Sequence, residues 1–119
     1  MVSIIDIVRQ WRNILLMVFE EFAPFTRHVQ ELLDDEDLAQ VQGLLLAHPD
    51  AGKVIPKSGG LRKLRVAARS HGKRGGGRMI YYWVVALDRI LLLDIYAKNE
   101  KENLSAAEVK LLRTLIENY

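Results

Sequence analysis

The sequence contains no cysteine. Disulfide scaffolds, thiolate nucleophiles and sulfur-ligated metal sites are therefore excluded together. Histidine is scarce, and His28, His48 and His71 show no metal-ligand spacing with one another. No apolar run is long enough for a membrane span. The strongest one, Ile4, Ile5, Ile7, Val8, Trp11, Ile14, Leu15 and Val18, is broken by Asp6, Arg9 and Arg12. It also lacks the basic start and small-residue cleavage site of a secretory signal, so the chain reads as soluble. Its periodicity predicts a helix over residues 1–16, with Ile14–Phe19 equally readable as a strand. Met17 is a candidate start of the domain proper, which divides the chain into an extension, 1–16, and a domain, 17–119.

Acid is missing from one stretch. Between Arg62 and Arg78 stand Arg62, Lys63, Arg65, Arg69, Lys73, Arg74 and Arg78 without a single Asp or Glu. The net charge of +2 hides this. Residues 1–50 carry three basic against nine acidic residues, and residues 51–119 carry fourteen against six. A local excess of this kind points to a polyanionic partner, nucleic acid or an acidic protein segment. The competing reading is a solvated charged face.

A chain of 119 residues, half of them hydrophobic, fits one domain with a real core. Pro24 suits a first helical turn, and Phe25, Val29, Leu32 and Leu33 fall on one face, which predicts a helix over 24–33. Asp34 and Asp35 cap a second helix that continues through Leu38, Val41, Leu44 and Leu45 to Ala47, ended by His48-Pro49-Asp50. The acidic run Asp34–Asp37 reads as a solvated helix start. Gly52 to Gly60 reads as a loop. Strands are expected over 61–69, 78–87 and 89–97, with His71–Gly77 as a flexible hairpin loop. Ser105 and Glu108 form a capping box before a last helix over 106–117. Short connections make the three strands an antiparallel meander. The fold class is α+β, with the N-terminal helices and the C-terminal helix packed on one face of the sheet.

Alternation along a strand assigns faces. Leu64, Val66 and Ala68 share one face of the first strand; Lys63, Arg65 and Arg69 share the other. Arg78 is in step with Ile80, Tyr82 and Val84. On the third strand, Leu91, Leu93, Ile95 and Ala97 are expected opposite Asp94, Tyr96 and Lys98. The open face would then gather Lys63, Arg65, Arg78, Tyr82, Tyr96 and Lys98, with tyrosines stacking bases and cations holding phosphates. The alternative for both tyrosines is ordinary half-buried strand packing. Gly75-Gly76-Gly77 lacks the lysine and following helix of a phosphate loop, and no serine has an evident His/Asp partner.

Several blocks in order carry a family likeness: Gly59-Gly60-Leu61-Arg62-Lys63-Leu64-Arg65, Gly72-Lys73-Arg74-Gly75-Gly76, Arg78-Met79-Ile80-Tyr81-Tyr82, Ile95-Tyr96-Ala97-Lys98-Asn99-Glu100 and Leu104-Ser105. Pro49–Gly52 and Val54–Pro56 also fit. Over roughly residues 17–117 the chain resembles the RelE superfamily of toxins, HigB-type in particular. The resemblance implies a cytoplasmic mRNA interferase of a type II toxin–antitoxin system, acting on messenger RNA, commonly on the translating ribosome, and neutralised by an antitoxin protein; no cofactor or metal is expected. It implies catalytic roles for Lys63, Arg65, Arg78 and Lys98, with Asn99 beside them. Arg62, Arg69, Lys73, Arg74, Tyr82 and Tyr96 complete the expected RNA surface. Some RelE relatives place a tyrosine near the C-terminus. Here only the terminal Tyr119 follows Tyr96, so Tyr82 or Tyr96 is the candidate replacement.

Such a reaction attacks phosphorus with the ribose 2′-OH. Arg65 and Arg78 suit the developing negative charge, and Lys63 or Lys98 is the candidate base if neighbouring cations lower its pKa. Two other functions compete: a noncatalytic nucleic-acid-binding or inactive toxin-like module, and a gyrase-targeting toxin of the ParE branch. Base preference, antitoxin surface and oligomeric state, including a homodimer through residues 1–16, stay open at this level.

Overall fold

The computed structural model describes residues 17–67 and 76–119. The helix expected over 1–16 lies outside the described residues, as do His71, most of the hairpin loop, and Arg69, Lys73 and Arg74.

The elements in chain order are β1 (Val18–Glu21), α1 (Ala23–Leu32), α2 (Asp35–Ala47), β2 (Lys53–Val54), β3 (Arg62–Val66), β4 (Gly77–Val84), a 3₁₀ turn (Val85–Leu87), β5 (Arg89–Ala97) and α3 (Ala106–Glu117). Pro24 lies in the first turn of α1, which buries Phe25, Val29 and Leu32. The acidic run has a structural task. Asp34 accepts from the Asp37 N–H at 2.7 Å while Asp37 accepts from the Asp34 N–H at 3.3 Å, a reciprocal box that opens α2. Ser105 and Glu108 open α3 in the same way.

The sheet order is β1-β5-β4-β3-β2. β3, β4 and β5 form the expected antiparallel meander. β1 adds a parallel edge, Val18 opposite Arg89 through Glu21 opposite Leu92; it takes in Val18 and Phe19 of the segment Ile14–Phe19, whose residues 14–16 lie outside the described residues. β2 pairs with β3 inside the stretch expected to be loop.

The α+β class stands, but α3 packs on the opposite face from α1 and α2. One core layer joins Phe25, Val29 and Leu45 from the two helices to Leu64, Met79, Tyr81, Leu92 and Ile95. The other joins Leu112 of α3 to Leu61, Ile80, Leu91, Leu93 and Tyr96. A bulge in β5 explains the second departure. Ile80 pairs with Asp94 but Tyr81 pairs with Leu92, so β5 carries one extra residue there and its facing changes hand. Leu91 and Leu93 therefore share the face of Tyr96 rather than that of Ile95 and Ala97. Tyr96 itself lies on the cation-bearing face, as parity had it. Among the described residues no helix is long and apolar enough to cross a membrane.

Tyr81 ties the sheet to the entrance of β2. Its hydroxyl donates to the Pro49 carbonyl at 2.7 Å and accepts from the Gly52 N–H at 2.8 Å. Burial pushes its pKa up. Tyr81→Phe leaves the buried Gly52 N–H and the partly buried Pro49 carbonyl without this partner and is expected to cost about 1–3 kcal/mol, read as a lower denaturation midpoint at unchanged slope.

Candidate functional site

β2, β3 and β4 bring four cations onto one face. Lys53 stands directly opposite Lys63, and Arg65 directly opposite Arg78. Lys63 and Arg65 are two residues apart on β3, so all four side chains leave the sheet on the same side. Like charges directly opposite one another destabilise a sheet. Two such pairs, one in each ladder flanking β3, concentrate positive charge on this face.

The segment from Lys98 to Ser105, joining β5 to α3, closes over this patch. It is held at several points. The Tyr96 hydroxyl donates to the Glu102 carbonyl at 3.2 Å. Lys101 lies 4.9 Å from the Tyr96 ring centroid and pairs with Glu108 of the α3 capping box. Lys63 Nζ donates to Asn103 Oδ1 at 2.6 Å. Arg78 donates from Nε to Glu102 Oε1 at 3.3 Å and from Nη2 to Oε1 and Oε2 at 3.2 and 3.3 Å. Its Nη1 donates to the Gly77 carbonyl at 3.1 Å.

Arg78 is consequently 3 % exposed, while the Glu102 side chain outside it is 43 % exposed. A ligand approaching from solvent meets the carboxylate before the guanidinium. Desolvation pulls the Glu102 pKa upward, but the hydrogen bond and charge of Arg78, with Lys98 and Lys63 behind them, outweigh it and hold the carboxyl below its usual value. Burial pushes Tyr96 up to about 12, so its phenol stays protonated and serves as a donor.

Beside Lys63 lies a hollow of about 330 Å³, walled by Val54, Ile55, Pro56 and Leu104 and carrying the Asn103 amide at its edge. A second hollow, about 360 Å³, follows Lys53, Lys63 and Arg65. The first is largely apolar, with the Asn103 amide and the Lys53 and Lys63 side chains also lining it, and suits a base. The second is lined by cations and suits a phosphate chain.

The expected site residues divide as follows. Lys63, Arg65 and Arg78 come together. Lys98 and Asn99 are exposed just past β5, with Lys98 at the margin of the patch: its N–H donates to the Gly76 carbonyl at 3.1 Å. Arg62 points to the other face, where its Nη1 donates to the Gly52 and Asp50 carbonyls at 2.8 and 3.2 Å, so it braces the loop before β2 and leaves the cluster. Tyr96 is 5 % exposed and Tyr82 packs against the α3 layer, so neither ring is an open stacking platform. Tyr119 bonds Arg89 and Glu20 at the far end of β5, about 30 Å of strand from Lys98, and does not serve there. Arg69, Lys73 and Arg74 lie outside the described residues.

Three members of the site escape the sequence reading: Lys53, Glu102 and Asn103. Lys53 sits in a strand of two residues, too short for any alternation to show. Glu102 and Asn103 sit in a connection whose fold is set by distant partners. The one available signal was the presence of acid close behind Lys98 in an otherwise cationic half.

Comparison with known proteins agrees with this fold. The solved E. coli RelBE toxin–antitoxin complex contains a chain with a TM-score of 0.51 and 13 % identity, the match covering 68 % of this chain and 95 % of that one. The free E. coli toxin RelE carrying two arginine-to-alanine substitutions gives 0.50 and 12 %, covering 83 % and 95 %. At such identities the likeness concerns the fold. The family model described as the RelE toxin of the RelE/RelB toxin–antitoxin system matches residues 18–119, nearly the whole described structure, and the chain belongs to this family of RelE toxins.

Proposed function

We propose that the protein is an mRNA interferase: it holds single-stranded messenger RNA across β2, β3 and β4 and cleaves it by attack of a ribose 2′-OH on the adjacent phosphate. The observation that carries this reading is the pair of like-charge rungs, Lys53–Lys63 and Arg65–Arg78, on one face. Glu102 already offsets the charge of Arg78, and the positive charge of Lys53, Lys63 and Arg65 on the same face suits a bound polyanion. Lys53, Lys63, Arg65 and Lys98 contact phosphate oxygens; the Val54–Pro56 hollow with Leu104 seats a neighbouring base. Messenger RNA on the translating ribosome is the substrate, the cytoplasm is the place of action, and a cognate antitoxin is the partner that silences it. The Gly72–Gly76 block supports the HigB branch within the family.

Inducible expression in bacteria tests the reading. Growth arrest with cleaved transcripts is the expected result. Arrest with DNA damage and intact transcripts would move the protein to gyrase, and no arrest would reduce it to a binding module. Binding of a short RNA should also depend on salt, with log K falling against log salt at a slope of about −3 for four phosphate contacts to a single strand. Replacing Lys63 and Arg65 together by alanine should flatten that slope by about 1.4.

A further inference from the structure

The cluster of cations leaves one chemical task without an owner. A 2′-OH attacks phosphorus only if something takes its proton. Arginine stays protonated. Lys63 Nζ is engaged as a donor to Asn103, and Lys98, exposed past the end of β5, stands only at the margin of the patch. Tyr96 holds its phenolic proton and donates it to a backbone carbonyl. Among the described residues the histidines are His28 and His48. His28 pairs with Asp94 at 2.9 Å beside the bulge of β5, and His48 ends α2. Tyr82 lies four residues along β4 from Arg78, about 13 Å by strand rise.

We infer that Glu102, the carboxylate held by Arg78 beside Lys63 and Lys98, is the general base that takes the 2′-OH proton. Its position meets the requirements of that role. It is ionised at neutral pH, it is solvent-facing, and two guanidinium nitrogens fix its orientation. The segment carrying it is anchored by Tyr96 and by the α3 capping box, so the carboxylate does not depend on Arg78 alone for its place. The same cations that lower its proton affinity also attract the substrate phosphate. Once a phosphate shares them, their hold on the carboxylate weakens and its basicity rises during the step that needs it. In that step the proton moves from the 2′-oxygen to Glu102, the 2′-oxygen bonds to phosphorus and the P–O5′ bond breaks. The 5′-oxygen leaves with a proton from water, giving a 2′,3′-cyclic phosphate and a 5′-hydroxyl, and Glu102 returns its proton to water.

The inference rests on the interferase reading, and the two can fail separately. The experiment is single-turnover cleavage of an RNA that the wild-type protein cuts, with RNA affinity measured in parallel. Glu102→Gln keeps an oxygen for Arg78 but cannot accept the proton. Its rate is expected to fall by about 10²-fold or more, while RNA binds as tightly as before or tighter, because one negative charge is gone. The wild-type rate should drop with unit slope on the acid side of the Glu102 titration, and the Gln variant should lose that limb. Formate should partly restore cleavage to Glu102→Ala. A Glu102→Gln protein that cleaves at the wild-type rate or faster would reduce Glu102 to a counter-ion, or a phosphate stand-in, for Arg78. A parallel loss of rate and affinity would make its role structural. Should the variants not fold, the wild-type profile decides, and a rate independent of pH across the acid range overturns the assignment. If the wild-type protein cuts no RNA, the interferase reading itself falls and this assignment falls with it.

Discussion

Replacing Arg78 with alanine is expected to lower single-turnover RNA cleavage by about 10²–10³-fold, equivalent to about 3–4 kcal/mol of transition-state stabilisation. Two effects combine. The variant removes a permanent positive charge that acts on the phosphate from behind Glu102 rather than by direct contact. It also removes the fork that orients the Glu102 carboxylate through three contacts of 3.2–3.3 Å. The fold should survive, because the partner left behind is 43 % exposed and can be solvated. Thermal melting run beside the kinetics separates the two outcomes: a large loss of rate with a modest change in melting temperature is expected. Arg78→Lys should recover only part of the rate, since a single ammonium cannot reproduce the Nε and Nη2 fork. Cleavage by Arg78→Ala at the normal rate would remove this residue from the site.

Gly76→Ala should be the most damaging single change to the fold. Gly76 precedes β4 with φ +62°, where a β-carbon is strained. A Cβ there would lie 2.0 Å from the Val66 carbonyl oxygen and 3.1 Å from its carbon, both backbone atoms of the partner strand. Relief requires opening the β3–β4 ladder at the rung beside Arg65 and Arg78. A loss above about 4 kcal/mol is expected, seen as insoluble protein or a melting temperature lowered by more than 10 °C. Gly77→Ala is the control. Its Cβ would sit 3.2 Å from the Tyr96 carbonyl oxygen, which requires a shift of tenths of an ångström, and its effect should be much smaller. Equal tolerance of both changes would show that the β3–β4 register is looser than drawn.

The parts of the molecule legible in the sequence are those governed by local pattern. The 3.6-residue spacing from Phe25 to Leu32 and the Ser105–Glu108 box give α1 and α3 almost to the residue. Alternation on β3 and β4 correctly set Lys63 and Arg65 against Leu64 and Val66, and Arg78 with Ile80 and Tyr82. What alternation could not carry was the extra residue in β5. A bulge has no local signature in Leu91-Leu92-Leu93-Asp94, where the first three residues are identical in kind. The result was a half-correct face: Tyr96 rightly on the cation side, Leu91 and Leu93 wrongly opposite it. The open sheet floor with two stacking tyrosines failed for a tertiary reason. The apolar side of α3 is long enough to cover that face from Leu61 to Leu93, and it displaces any base from Tyr82 and Tyr96.

The site shows the same division. Its β-strand cations were visible because their spacing is fixed by the strand itself. Lys53 became a member only through pairing across to Lys63, and Glu102 only because the connection from β5 to α3 folds back onto Arg78. Neither relation is encoded in neighbours along the chain. Arg62 shows the converse: a cation inside the basic stretch, placed by parity on the wrong side and consumed by the Asp50 and Gly52 carbonyls.

The most direct measurement is end-group analysis of an RNA incubated, alone and on a programmed ribosome, with the purified wild-type protein and with Lys63→Ala, Arg65→Ala and Arg78→Ala. Fragments ending in a 2′,3′-cyclic phosphate and beginning with a 5′-hydroxyl, strongly reduced in all three variants, are the expected result. Undiminished cleavage by all three, or intact RNA under both conditions with the wild type, would contradict a phosphate-holding site on this face of the sheet.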